Sequence, residues 1–227
     1  EPTTPYLRRE SYRPSTASQD ATDATEEQST GVVQITSTLT HGTSAGTGLV
    51  LDADGTVVTN HHVVEGATAI EVRVVTTGRA YSARYVGGNA ATDVAVLQLE
   101  DARGLTSVDL SETAAAVGDE ITSVGDAGGD GGALTASPGT VAALHDDITV
   151  ASTDGSGDGT ALTDLIRMDA YVVPGDSGGA VLDADGEVVG MNVAASSGTG
   201  DVTGYAIPIA TVEQVVAQVE AGDAGDG

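Results

Sequence analysis

Short β-branched runs broken by Gly and Asp turns recur through most of this chain, and helical periodicity is almost absent. Strands this short bury a core only by pairing with one another, so the pattern predicts an all-β sandwich or barrel. Val32-Val33-Gln34-Ile35-Thr36-Ser37 opens the series. Leu49-Val50-Leu51 and Thr56-Val57-Val58-Thr59 flank a turn at Asp52-Ala53-Asp54-Gly55, with Asp-Gly as the hairpin signal. His41 to Gly48, small and polar, is predicted as a loop. Alternating runs follow at Ile70 to Val75 and Arg79 to Val86, then a small-residue loop from Gly87 to Thr92. Val94-Ala95-Val96-Leu97-Gln98-Leu99 is almost continuously apolar and reads as a strand buried on both faces.

The second half repeats the style. Strands are predicted at Val117 to Val124, Gly139 to Leu144, Leu165 to Val173 and the hairpin Val181 to Val189. Gly/Asp loops are predicted over 125–132 and 154–160. Tyr205-Ala206-Ile207-Pro208-Ile209 is a strand that Pro208 ends or places at an edge. Val212, Val215, Val216 and Val219 stand at helical spacing, which predicts a helix over 211–220, and 221–227 reads as a tail. Leu51-Asp52-Ala53-Asp54-Gly55-Thr56-Val57-Val58 is echoed by Leu182-Asp183-Ala184-Asp185-Gly186-Glu187-Val188-Val189. One copy in each half predicts two similar β units, about 31–115 and 116–210, with a cleft between them. Asp-x-Asp-Gly also opens a calcium-loop pattern, but the distal Glu is missing, so the reading is a turn and no metal site.

Composition narrows the partners. The formal net charge is −26 and every basic side chain is Arg, which argues against nucleic acid or an anionic membrane as a partner. The chain has no Cys, so no disulfide framework exists, and no Trp or Phe, so the core must be aliphatic and Tyr-based. No apolar run approaches the length of a membrane span, which predicts no membrane insertion. Residues 1–30 are polar and aperiodic and read as a disordered leader or linker. The start at Glu1 rather than Met, with this leader, predicts a secreted or extracytoplasmic protein, tethered or exported through an upstream segment.

Chemistry concentrates in Pro174-Gly175-Asp176-Ser177-Gly178-Gly179, a tight turn between apolar runs that exposes one hydroxyl. Glycine permits φ > 0 and close approach of a substrate backbone. The N–H groups of Gly175, Asp176 and Ser177 would converge as donors for a developing oxyanion. A serine hydroxyl needs a base, which predicts a histidine elsewhere. Four are present, His41, His61, His62 and His145. His61 and His62 follow the Val57-Val58-Thr59 strand in a single helical turn ending at Gly66. Asp93, at the mouth of the buried Val94 to Leu99 strand, is either the carboxylate that orients the base or a turn residue bonded to its own backbone.

Thr59-Asn60-His61-His62-Val63-Val64, Thr92-Asp93-Val94-Ala95-Val96-Leu97 and Gly175-Asp176-Ser177-Gly178-Gly179 together resemble the three catalytic blocks of trypsin-like serine proteases, nearest to the HtrA (Deg) type. Gly46-Thr47-Gly48-Leu49-Val50, Gly190-Met191-Asn192 and Gly204-Tyr205-Ala206-Ile207-Pro208 agree, so the resemblance covers about residues 31–219. The order His, Asp, Ser is that of chymotrypsin, not of subtilisin or the α/β-hydrolases. The resemblance implies a chymotrypsin-like double β-barrel with a C-terminal helix. It places the base directly before Val-Val, so it implies His62 as base, Asp93 as its orienting carboxylate and Ser177 as nucleophile. It implies an oxyanion hole from the Gly175 and Ser177 N–H groups with Asp176 between them, peptide or protein substrates, and no cofactor.

Two departures stand out. HtrA proteases usually have Asn where Asp176 stands, and usually carry PDZ domains, so the resemblance is to the protease body alone. By motif alignment the substrate pocket is walled by Ala170 to Val173, Met191 to Ala194 and Gly204 to Ala206. The lining expected is Tyr171, Val172, Val173, Asn192, Val193, Gly204 and Tyr205, with Gly204 leaving one wall open. None of these is charged, which predicts small or medium aliphatic side chains before the cut, aromatic ones second. Two other readings of the same residues remain, a silent trypsin-like domain that binds peptides and an acyl hydrolase acting on non-peptide esters.

Overall fold

A computed structural model describes residues 21–150, 160–193 and 204–222. In chain order the elements are β1 (Thr22–Asp23), β2 (Val32–Leu39), β3 (Gly42–Val50), β4 (Thr56–Thr59), α1 (His61–Val64), β5 (Ala69–Val74), β6 (Arg79–Asn89) and β7 (Val94–Leu99). They continue as β8 (Glu120–Gly125), β9 (Thr135–Val150), β10 (Thr160–Met168), β11 (Ala180–Leu182), β12 (Val188–Val193), β13 (Gly204–Pro208) and α2 (Ile209–Glu220). The first six-stranded unit closes as a barrel in the order β2-β3-β4-β7-β6-β5. The second sheet runs β9-β10-β13-β12-β11-β8, and β8 pairs back onto β9. Counted within each unit, both rings read 1-2-3-6-5-4. This is the double β-barrel with a C-terminal helix that the sequence resemblance implied.

The cores are aliphatic. Val33, Ile35, Val57, Val72, Leu97 and their neighbours fill the first barrel, and Ile121, Val141, Ile166, Met168 and Val181 fill the second. A further cluster joins Val32, Leu49 and Val58 of the first barrel to Met191, Val193 and Ile207 of the second. Helix α2 lays Ile209, Val212, Val215 and Val219 on that joint, packing on β6, β7, β12 and β13. It begins directly after Pro208, which ends β13, a strand paired on both sides rather than at an edge. No helix among the described residues is long and apolar enough to cross a membrane.

Apart from two shifted boundaries, with β6 running through Asn89 into the expected Gly87 to Thr92 loop and β10 ending at Met168 short of Val173, three expectations need correction. The stretch His41 to Gly48 is not a loop, because Gly42–Val50 pairs with β2 along its length, from Leu39 opposite Gly42 to Val32 opposite Leu49. Its small residues record crowding: a Cβ on Gly46 would lie 2.7 Å from Val63 Cγ1, and one on Gly48 2.8 Å from Ile35 Cδ1. Part of the leader is folded. Thr22 and Asp23 pair with Ala136 and Thr135, and Ala24 N–H donates to Leu134 O at 2.7 Å. Thr25 and Gln28 then exchange bonds, Thr25 N–H to Gln28 Oε1 at 3.0 Å and Gln28 N–H to Thr25 Oγ1 at 3.2 Å, the reciprocal arrangement of a capping box. Residues 1–20, 151–159, 194–203 and 223–227 lie outside the described residues.

The echoed turns are the third correction. Asp52 Oδ1 accepts from the N–H groups of Asp54 (2.8 Å) and Thr56 (3.1 Å), and Asp183 Oδ1 from those of Asp185 (3.0 Å) and Glu187 (2.9 Å). The chemistry is the same, and it uses the carboxylates to close the turns. Yet one turn joins the second and third strands of its barrel and the other the fourth and fifth. The echo is local turn chemistry and does not mark equivalent positions.

Candidate active site

One corner of the site lies in the first barrel. Strand β4 ends at Thr59, and α1 carries His61 and His62 over the end of β7. Asp93 sits there with φ 56, a left-handed conformation that aspartate tolerates better than most residues. Its carbonyl accepts from His61 N–H and Asn60 Nδ2, both at 3.1 Å. Its carboxylate accepts from His62 N–H through Oδ1 at 2.9 Å and meets His62 Nδ1 through Oδ2 at 2.8 Å. Both carboxylate oxygens are therefore directed to His62, and Asp93 is only 5% exposed. With an ionised carboxylate at Nδ1, that nitrogen carries the hydrogen and Nε2 is left with its lone pair. The His62 side chain is 29% exposed.

The Ser177 loop joins β10 to β11 and docks flat on the first barrel. Thr47 N–H of β3 donates to Ser177 O at 2.8 Å. A Cβ on Gly178, whose φ is +85, would come within 2.1 Å of Thr47 O and 2.5 Å of Thr59 Oγ1. A Cβ on Gly46 would lie 3.2 Å from Ser177 O while also striking Val63, the residue after His62. The glycines thus let the serine loop close onto the strands that carry α1, and Ser177 is 4% exposed.

Asp176 differs from the sequence expectation in one respect. Its N–H donates to Val173 O at 3.0 Å, so it is engaged inside the loop and is not a third oxyanion donor. Its Oδ2 accepts from Val173 N–H at 2.9 Å, while Oδ1 meets no hydrogen-bond donor among the described residues. Burial pushes the Asp176 carboxyl up to about 6, the Val173 N–H opposes this, and the charge of Asp126 adds to it. Asp126 is buried as well, accepts from Gln34 Nε2 at 3.2 Å, and is itself pushed up by burial.

The residues aligned to the pocket lie in and beside β12 and β13. Val172, Val193 and Gly204 are buried, and Tyr171, Val173 and Tyr205 are half-buried. Asn192 is fully buried, and its side-chain amide donates to Ala180 O at 3.2 Å and Val124 O at 3.4 Å. It braces β8 and β11. The space beside Gly204 is occupied, since a Cβ there would lie 2.7 Å from Val172 Cγ2, so that wall is not open. Sequence reasoning gave no role to Thr47, Asn60 or Asp126, although Thr47 and Asn60 stand inside blocks that carry the resemblance.

The family model for a trypsin-like peptidase domain matches residues 46–191. The chain is 37% identical over 177 residues to a probable periplasmic serine endoprotease DegP-like of Bartonella henselae, covering 77% of this chain and 33% of that relative. It is 35% identical over 178 residues to the periplasmic serine endoprotease DegP of Escherichia coli (strain K12), covering 77% of this chain and 35% of that protein. The chain thus spans about a third of the length of these curated relatives. Among solved structures, the HtrA-type protease AlgW with tripeptide superposes with a TM-score of 0.72 at 30% identity, covering 86% of this chain and 62% of the other. The matched residues contain the His62–Asp93 pair and the Ser177 loop, and the chain belongs to the trypsin-like peptidase domain family, as a protease domain of the HtrA type.

Proposed function

We propose that this protein is a serine endopeptidase in which Ser177 attacks a peptide carbonyl, His62 takes and returns the proton, and Asp93 holds the His62 tautomer. The His62 Nδ1 contact with Asp93 Oδ2 at 2.8 Å carries the reading, because it leaves Nε2 as the basic nitrogen of the pair. Proton transfer to Nε2 makes the hydroxyl oxygen nucleophilic, and the imidazolium formed is stabilised by the buried Asp93 carboxylate. The Gly175 and Ser177 N–H groups stabilise the oxyanion of each tetrahedral intermediate. Collapse of the first expels the amine, protonated by His62, and leaves an acyl-Ser177 ester. Water, deprotonated by His62, releases it. The periplasmic naming of the DegP relatives supports an extracytoplasmic location.

The pocket is apolar, formed by Val172, Val193 and the half-buried Tyr171, Val173 and Tyr205, and it takes small or medium aliphatic side chains. One experiment tests site and pocket. Casein zymography and a peptide series differing only at the residue before the cut are run with wild type and Ser177→Ala. Ser177→Ala should fold and lose about 10⁶-fold in kcat. Val, Ala or Leu peptides should be cleaved best. Equal activity of the two proteins removes Ser177 from the mechanism, and an Arg preference above tenfold rejects the pocket.

A further inference from the structure

The turn that precedes Ser177 has three consecutive carbonyls, and each is held. Val173 O accepts from Asp176 N–H at 3.0 Å, Pro174 O from Gly128 N–H at 2.8 Å, and Gly175 O from Thr47 Oγ1 at 2.7 Å. The described peptide bonds are all trans, so the C=O and N–H of each peptide unit point to opposite sides. Holding Pro174 O against Gly128 therefore turns the Gly175 N–H away from the 126–132 loop. Holding Gly175 O fixes the next peptide plane, the one that leads into Asp176. Gly175 keeps φ +103 between these two restraints, a value that L side chains rarely adopt.

Two of the three restraints are backbone to backbone. The third is a side chain from the other barrel, and all of its polar groups are engaged. Thr47 Oγ1 donates to Gly175 O and accepts from Asp126 N–H at 2.9 Å. Thr47 N–H donates to Ser177 O at 2.8 Å, and Thr47 O accepts from Thr59 Oγ1 at 2.7 Å. The residue is fully buried, so no water substitutes for its hydroxyl without rearrangement. A hydroxyl contacting residues 175 and 126 from a strand that also grips residue 177 can lock the turn in one orientation.

We propose that Thr47 is a positioning residue for the oxyanion hole, its hydroxyl fixing the Gly175–Asp176 peptide plane that directly follows the Gly175 N–H. This rests on the oxyanion role given above to Gly175 and Ser177. The N–H group it positions acts where charge develops on the substrate, so removal of the hydroxyl weakens transition-state binding and leaves ground-state binding almost unchanged.

The test compares wild type, Thr47→Val, Thr47→Ser and Ser177→Ala in steady-state peptide hydrolysis. It also measures inhibition by a peptide boronic acid, which forms a tetrahedral adduct on serine, and by the uncleavable product peptide. Thr47→Val keeps the shape and loses the hydroxyl. It should lower kcat about 10- to 100-fold with KM changed less than about threefold, and weaken the boronate by a similar factor but not the product peptide. Thr47→Ser should keep kcat within about threefold of wild type. A Thr47→Val protein with wild-type kcat, or one whose loss falls equally on product binding, overturns the proposal. If Thr47→Val does not fold, Thr47→Ser decides, and a fall of tenfold or more there overturns it. A wild type that hydrolyses no peptide, or a Ser177→Ala protein as active as wild type, instead overturns the catalytic reading of the site and this proposal with it.

Discussion

The two barrels share a strand order, and each offers the same connection, from its third to its fourth strand, to the site. In the first barrel that connection is α1 with His62, and in the second it is the glycine loop with Ser177. The His62 corner is self-contained. Its carboxylate, Asp93, comes from the β6–β7 connection of the same barrel and gives both oxygens to one residue. The Ser177 corner is assembled across the joint between barrels, with Thr47 of β3 holding the loop and Asp126 behind it. Its carboxylate, Asp176, is as buried as Asp93 but has one oxygen without a donor among the described residues. The two aspartates are alike in burial and differ in the number of donors each meets.

Breaking the self-contained corner should have the largest effect. His62→Ala removes the proposed base and should cost about 10⁶-fold in kcat. Asp93→Asn keeps the shape but presents an N–H or a neutral oxygen to Nδ1, and it should cost about 10⁴-fold by favouring the wrong tautomer. Steady-state hydrolysis of one peptide by both variants checks the order. An Asp93→Asn enzyme within tenfold of wild type would show that the carboxylate is structural, bonding His62 N–H without orienting its ring.

The assembled corner should respond in stability and with the opposite sign. The folded state raises the Asp176 carboxyl from 3.8 to about 6, so it holds the proton more tightly than the unfolded chain does. The stability this group contributes is complete below about pH 4, falls as pH rises toward 6, and stays low above that. Asp176→Asn removes the buried charge and keeps an acceptor for Val173 N–H. It should raise unfolding free energy at pH 7.5 by roughly 2–3 kcal/mol relative to wild type, with the difference vanishing near pH 4. Urea melts at the two pH values measure this. A less stable variant at pH 7.5 would mean that the ionised Asp176 is stabilised by a cation.

The contrast between corners also explains what the sequence could reveal. His62, Asp93 and Ser177 stand in short blocks whose spacing follows from strand ends, and β4 and β7 are bounded by turn signals close in sequence. Such local chemistry survives in one dimension. Strand β3 was unreadable because its glycines answer to Val63, Ile35 and Val57, which pack on it from other elements. The relation of Asp126 to Asp176 was unreadable because 50 positions separate two aspartates that only the fold places in one electrostatic environment. Asn192 and Gly204 matched a motif, but their surroundings, strand carbonyls for one and Val172 for the other, depend on how the second barrel closes.

The smallest expected effect sharpens the comparison within α1 itself. His61 is adjacent to His62, and its ring meets Tyr85 edge to face at 6.2 Å between centroids and 79° between planes. Its link to Asp93 is through its own backbone N–H, which donates to Asp93 O at 3.1 Å and survives any side-chain change except proline. Both Asp93 carboxylate oxygens go to His62, so the His61 ring has no part in orienting the base. His61→Ala should therefore keep kcat/KM within about threefold of wild type and cost about 1 kcal/mol of stability from the lost ring contact. The same peptide assay and a thermal melt measure both. An inactive His61→Ala protein beside an active His62→Ala protein would move the base by one residue and leave the Asp93 geometry without a catalytic role, because that geometry serves His62 alone.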